Sequence, residues 1–232
     1  GCHLDADMVS RALHTLDLIV QRSPGARDID EVQFRRGELL FSARRYPEAQ
    51  QAYAAVIARG AASPFYVQSL YKSGWSLYKE SLPQQSLPVF ARLLDVELLG
   101  PLGRERPLAD LRRADREMVV DSLRVMSITF SQDSGADSIG RFVGRYGARP
   151  YDALLYSKLG DLYVAKQRFQ DAAATYQAFV ASNPQSDVAP DLAARAIRAY
   201  SKGGFSQLVF QAKRDYVERY AFPSAYWRTH AR

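Results

Sequence analysis

The sequence predicts an all-α fold of stacked helix pairs, and three observations carry that prediction. Apolar residues recur at helical spacing along most of the chain, as at Tyr156, Leu159 and Tyr163. A small residue on one predicted helix is followed twelve positions later by another on the next, Gly37 to Ala49 and again Gly160 to Ala172. Loop and stop signals such as Asn183-Pro184 separate the periodic segments.

The elements follow in chain order. Residues 1–27 are read as an N-terminal helix, a cap or half a repeat, with Leu13, Leu16 and Val20 on one face. Residues 28–96 hold two helix pairs. The first carries Phe34, Gly37, Leu40 and Phe41, then Tyr46, Ala49, Tyr53 and Val56. The second carries Tyr71, Gly74, Trp75 and Tyr78, then Ser86, Phe90 and Leu93. Pro83 suits the start of its second helix, and Pro88 lies inside it as an expected kink. Residues 97–114 are expected to be an inserted loop, because Gly100-Pro101, Gly103 and Pro107 interrupt the pattern. Residues 115–221 hold three more pairs. Met126 and Ala196 stand in the glycine place of the outer two, and Gly160 in that of the middle one. Residues 222–232 form a C-terminal tail.

The middle pair is the most informative. It runs aromatic-x2-Leu-Gly-x2-Tyr from Tyr156 through Leu159 and Gly160 to Tyr163, then has Ala172, Tyr176, Phe179 and Pro184. These positions resemble the tetratricopeptide repeat, a 34-residue helix–turn–helix unit. Gly160 leaves room for the partner helix to approach, and Ala172 does so from the other side. Met126 lies one repeat period before Gly160. The resemblance implies a right-handed α-solenoid of about five repeat units and about eleven helices. It also implies a concave groove, lined by the first helix of each pair, that binds a peptide or a helix of another protein.

By that geometry the partner-binding candidates are Phe34, Glu38 and Phe41 in the first pair. Tyr71, Trp75, Tyr78 and Lys79 are the candidates in the second, with Asp161 and Tyr200 further on. Aromatic side chains offer large contact area at low entropic cost. Packing between neighbouring pairs is the competing use of the same rings. A carboxylate clamp of Lys and Asn is disfavoured, because Asn183 is the lone asparagine and ends a repeat, while Phe34 and Tyr71 occupy clamp positions.

Composition narrows the function. The chain has 232 residues, 47% hydrophobic and 24% charged, which suits a globular protein and excludes disorder as the main state. One cysteine excludes a disulfide framework and multi-cysteine metal sites. No apolar run is long enough to cross a membrane as a helix. No phosphate-binding glycine loop, dinucleotide fingerprint or zinc-protease motif occurs, so no catalytic residue, metal or cofactor is assigned and the chain is read as non-catalytic. Asp28, Asp30 and Glu31 sit at a helix start, where acids favour the macrodipole.

The net charge is +6, from 31 basic and 25 acidic residues. Arg104, Arg106, Arg112, Arg113 and Arg116 concentrate positive charge in and beside the insert. Nucleic-acid binding through them is the first alternative function, and an accessory domain of a larger enzyme the second. A homo-oligomer is the alternative partner.

The wording of residues 28–95 and 150–220 is similar to repeats of bacterial envelope proteins, among them outer-membrane assembly lipoproteins and a periplasmic protein of cell-division coordination. That resemblance implies a periplasmic or envelope-associated scaffold, with the cytoplasm as the alternative. The chain opens at Gly1 rather than Met, which is read as a boundary within something longer. Gly1-Cys2 also resembles the end of a lipoprotein cleavage site, with a lipid on Cys2, and Cys2 with His3 is a weaker candidate metal pair.

Overall fold

A computed structural model describes residues 2–230, apart from the side chains of residues 2–5 and 101. The side chains of Cys2 and His3, and with them the lipid and metal-pair readings, therefore lie outside the described residues. The described residues form twelve α-helices: α1 Cys2–Arg22, α2 Ile29–Ser42, α3 Tyr46–Ala58, α4 Tyr66–Lys79, α5 Pro83–Leu98, α6 Arg113–Gln132, α7 Ala136–Tyr146, α8 Asp152–Ala165, α9 Phe169–Ser182, α10 Ala189–Gly203, α11 Ser206–Tyr220 and α12 Ala225–His230. Two short 3-10 turns, Pro101–Gly103 and Leu108–Asp110, lie between α5 and α6. Helix α5 therefore runs two residues into the expected insert, α6 begins within it at Arg113, and the expected tail carries α12.

The chain divides into two compact units. The first runs through Leu99 and adds Arg106–Ser122; the second comprises Gly100–Glu105 and everything from Leu123 onward. Each contains the same four-helix arrangement. The starts of α2 and α8, α3 and α9, α4 and α10, and α5 and α11 are each 123 residues apart.

The turns repeat too. In all four pairs the first helix is followed within two residues by one in the left-handed region: Arg44, Ser81, Gln167 and Gly204, with φ of 59°, 62°, 59° and 75°. The next amide reaches back to close the turn: Arg45 to Leu40, Leu82 to Leu77, Arg168 to Tyr163 and Phe205 to Tyr200, at 2.8 to 3.0 Å. This bond satisfies a carbonyl that the helix end would leave open, and the reversed chain starts the second helix antiparallel to the first.

The core follows from how closely the paired helices approach. A β-carbon placed on Gly37 would stand 2.6 Å from the Tyr53 ring, on Gly74 2.6 Å from the Phe90 ring, and on Gly160 2.3 Å from the Tyr176 ring. The partner ring in each case lies sixteen residues on and is essentially inaccessible to solvent. Only glycine leaves the dent such a ring fills. The fourth pair is built differently. In helix register Ile197, one position past the expected Ala196, matches Gly74, and Lys213, which is exposed, matches Phe90. With no ring to admit, α10 needs no glycine.

Around these dents the first unit buries Leu13, Phe34, Leu40, Ala52 and Val56, with Phe65 packed alongside. The second buries Met126, Phe130, Ile139 and Phe142, then Leu155, Leu159 and Phe179. Phe130 and Phe142 meet edge to face, centroids 5.8 Å apart, so Met126 and its helix pair by large rings rather than by a glycine.

Candidate partner-binding face

One face of each unit carries the same polar construction. In the first, the Tyr53 hydroxyl from α3 donates to Glu38 on α2 at 2.6 Å, and Lys72 on α4 lies 3.3 Å from the same carboxylate oxygen. In the second, the Tyr176 hydroxyl from α9 donates to Asp161 on α8 at 2.7 Å, and Arg195 on α10 lies 3.6 Å from that oxygen. In both, acid and base are 34 residues apart, one on the first helix of each consecutive pair. The carboxylate thus joins three helices.

Its position explains the chemistry. The tyrosine ring is in the core, and its shielded oxygen meets a partly exposed carboxylate beside the glycine dent. Burial, then the bond to the carboxylate, holds each hydroxyl far above the usual phenol range, so both remain donors.

Beyond this shared construction the faces differ. In the first unit Phe41 lies on the same face, with Lys72 4.9 Å above its ring. Trp75 meets Tyr78 edge to face at 5.7 Å, and Lys79 lies 5.6 Å over the indole. In the second unit the equivalent positions are Val164, Arg198, Ser201 and Lys202. Smaller side chains leave an open cleft of about 330 Å³ between α8 and α10, lined by Asp161, Val164, Tyr176, Arg195, Arg198 and Lys202.

The tetratricopeptide repeat family matches the chain over residues 34–106 and 134–187, more than half its length. The chain belongs to the tetratricopeptide repeat family. Repeats of this family generally mediate protein–protein interaction. Solved structures similar to the chain include the crystal structure of MamA protein, at 15% identity and a TM-score of 0.39, over 84% of this chain and 93% of that one. No curated protein matches the chain significantly.

Several predicted contact residues are placed differently by the repeat packing. Phe34 is only 6% exposed and stacks on Phe65 at 5.1 Å, so it is a core residue and not an anchor. Tyr200 also leaves the face: its ring packs edge to face on Phe205, and its hydroxyl donates to Gln177 at 3.2 Å. Glu38 and Asp161 lie on the face but are engaged by the tyrosine and the base. Tyr71 and Trp75 are half-buried, and both donate to Asp121 on α6, at 2.7 and 2.9 Å. Their polar tips are fixed and their rings held in place. Phe41 and Tyr78 are half-buried, and Lys79 is exposed.

The arginines of the insert are largely offset by local acids. Arg106 lies 3.6 Å from Glu97, Arg112 2.7 Å from Asp115, and Arg113 2.9 Å from Glu117; Arg113 and Arg116 stand on α6 rather than in a loop. Arg104 is exposed, and its carbonyl accepts from the Gly100 amide within the turn. Glu97 is buried, and that burial raises its pKa.

Tyr53, Lys72, Tyr176, Arg195, Arg198 and Lys202 are the face residues that the periodicity did not single out. The signal was present: an acid directly after Gly37 and after Gly160, a tyrosine fifteen residues after each acid, and a base 34 residues after it.

Proposed function

We propose that this protein is a non-catalytic scaffold that binds a peptide or helix of a partner protein on the first-helix faces of its repeat pairs. The observation that carries this reading is the α2–α4 face. There Phe41, Trp75 and Tyr78 hold partly exposed aromatic surface on a rigid support, with the Trp75 ring fixed by Asp121. Rings that are already ordered lose little entropy on contact, which is the quality of binding hot spots. Lys79 adds a cation at the rim.

The wording of the repeats supports a place in the bacterial periplasm or envelope. Cell fractionation with an antibody against the protein tests that placement; a cytosolic signal alone would overturn it.

The interaction is tested with the wild-type chain and a Trp75→Ala/Tyr78→Ala variant as baits against envelope extract. A protein retained by the wild type and lost with the variant, at unchanged helicity by circular dichroism, is the expected outcome. Equal retention by both baits would remove the α2–α4 face from the mechanism.

A further inference from the structure

The cleft between α8 and α10 gathers three cations along one helix, and the protein neutralises them unevenly. Arg195, Arg198 and Lys202 lie at i, i+3 and i+7 on α10, so all three face the cleft. They are not equivalent. Arg195 bridges two carboxylates, Asp191 at 2.9 Å and Asp161 at 3.6 Å. Arg198 comes only within 4.0 Å of Asp191 and is 62% exposed. Lys202 is exposed and forms no ion pair with any described residue.

The carboxylate already in the cleft shows what this surface accommodates. Asp161 is held between a tyrosine hydroxyl and a guanidinium, and a second carboxylate would meet a guanidinium and an ammonium at Arg198 and Lys202. Its own negative charge works against a densely charged ligand such as a phosphate backbone, which would have to pass it. A polypeptide carrying single, spaced carboxylates avoids that repulsion. The cleft volume has room for a side chain or two. In the first unit Trp75 stands where Arg198 stands here, and Lys79, the counterpart of Lys202, is turned over the indole. At these two positions the second unit therefore carries adjacent cations, Arg198 only distantly paired and Lys202 unpaired among the described residues, where the first carries an indole with a lysine over it.

We propose that the α8–α10 cleft binds aspartate or glutamate side chains of a partner polypeptide through Arg198 and Lys202. This deepens, and rests on, the reading of the repeat faces as partner-binding surfaces.

The test uses the whole chain and fluorescence anisotropy at low ionic strength. The probes are labelled hexaglutamate, a Gly-Ser peptide of equal length and a short single-stranded DNA. Hexaglutamate is expected to bind more tightly than the Gly-Ser peptide, and to weaken as salt rises. Arg198→Glu/Lys202→Glu is expected to lose about tenfold in affinity or more. Arg198→Lys, which keeps the charge, and Lys213→Glu, an exposed lysine on α11 outside the cleft, are expected to stay close to wild type. Circular dichroism confirms that the variants fold.

Three results would overturn the proposal. The first is hexaglutamate binding no tighter than Gly-Ser. The second is an affinity unmoved by the double charge reversal. The third is DNA binding more tightly than hexaglutamate with the same dependence on Arg198 and Lys202, which would make the cleft a phosphate surface. Retention of a partner through Trp75 and Tyr78 alongside any of these would remove the acidic chemistry alone and leave the interaction reading standing.

Discussion

The four helices α2–α5 and the four helices α8–α11 share their framework and differ in what they present. Glycine dent, filling tyrosine, surface carboxylate, base and left-handed turn recur at a fixed offset of 123 residues. Phe41 and Trp75 in one copy are Val164 and Arg198 in the other, so one face is aromatic and the other cationic. The ends diverge as well. Leu87 and Leu94 on α5 are buried, while their counterparts on α11, Phe210 and Val217, are 73% and 59% exposed. Where a ring fills the helix crossing, the opposite position is glycine, because a ring and a β-carbon cannot share a position; where the ring is gone, as at Lys213, the glycine is gone too. Elements that only cover the surface change freely.

The sharpest way to break this comparison is to fill the dents. Gly160→Ala and Gly37→Ala should each cost about 2–3 kcal/mol, since the opposing ring is packed and cannot retreat. The Gly160 variant should be the worse, because its ring is 0.3 Å closer, 2.3 Å against 2.6 Å. Urea denaturation of both variants checks it. Unchanged midpoints would mean that the rings yield and that the dents do not set the helix approach.

A milder probe is the shared hydroxyl. Tyr53→Phe and Tyr176→Phe each remove a donor to a carboxylate, at a cost of about 1 kcal/mol. The effect should be larger in the first unit, where Glu38 is 34% exposed against 47% for Asp161, because water replaces the lost donor less readily. Equal losses would mean that exposure does not tune this bond.

The smallest expected effect lies in the turns. Gln167→Gly should stabilise by about 0.5 kcal/mol by removing left-handed strain, and Gly204→Ala should destabilise by about 1 kcal/mol by introducing it. Thermal melts of the two variants moving in the same direction would show that the turns are not equivalent.

The fold was legible where a residue type has one physical use. Gly160 with Ala172 and Tyr176, and Gly37 with Ala49 and Tyr53, mark the helix approach directly. The face was less legible because helical spacing gives a residue's angle around its own helix and not what stands opposite. Phe34 shares a wide arc with Glu38 and Phe41, yet Phe65 covers it while they remain on the face. Tyr200 looked like a polar handle until Phe205 and Gln177 took its ring and hydroxyl. The acid–base couples could have been read from their 34-residue separation, but only by asking what the repeat period brings together between pairs rather than within one. The charge of the insert was legible as a count, and its neutralisation by Glu97, Asp115 and Glu117 was not.

Two of the buried phenols, Tyr53 and Tyr176, have a consequence in alkali. An ordinary tyrosine loses its proton near pH 10, whereas Tyr53 and Tyr176 keep theirs for as long as the helices around them hold. Their folded-state pKa lies above the unfolded value, so their contribution to stability is complete below pH 10 and drains away as the pH climbs past it. Followed by ultraviolet absorbance, the exposed tyrosinates form first. Tyr53 and Tyr176 follow only as their helices come apart, so the last tyrosinates to form report alkaline unfolding of the helix pairs.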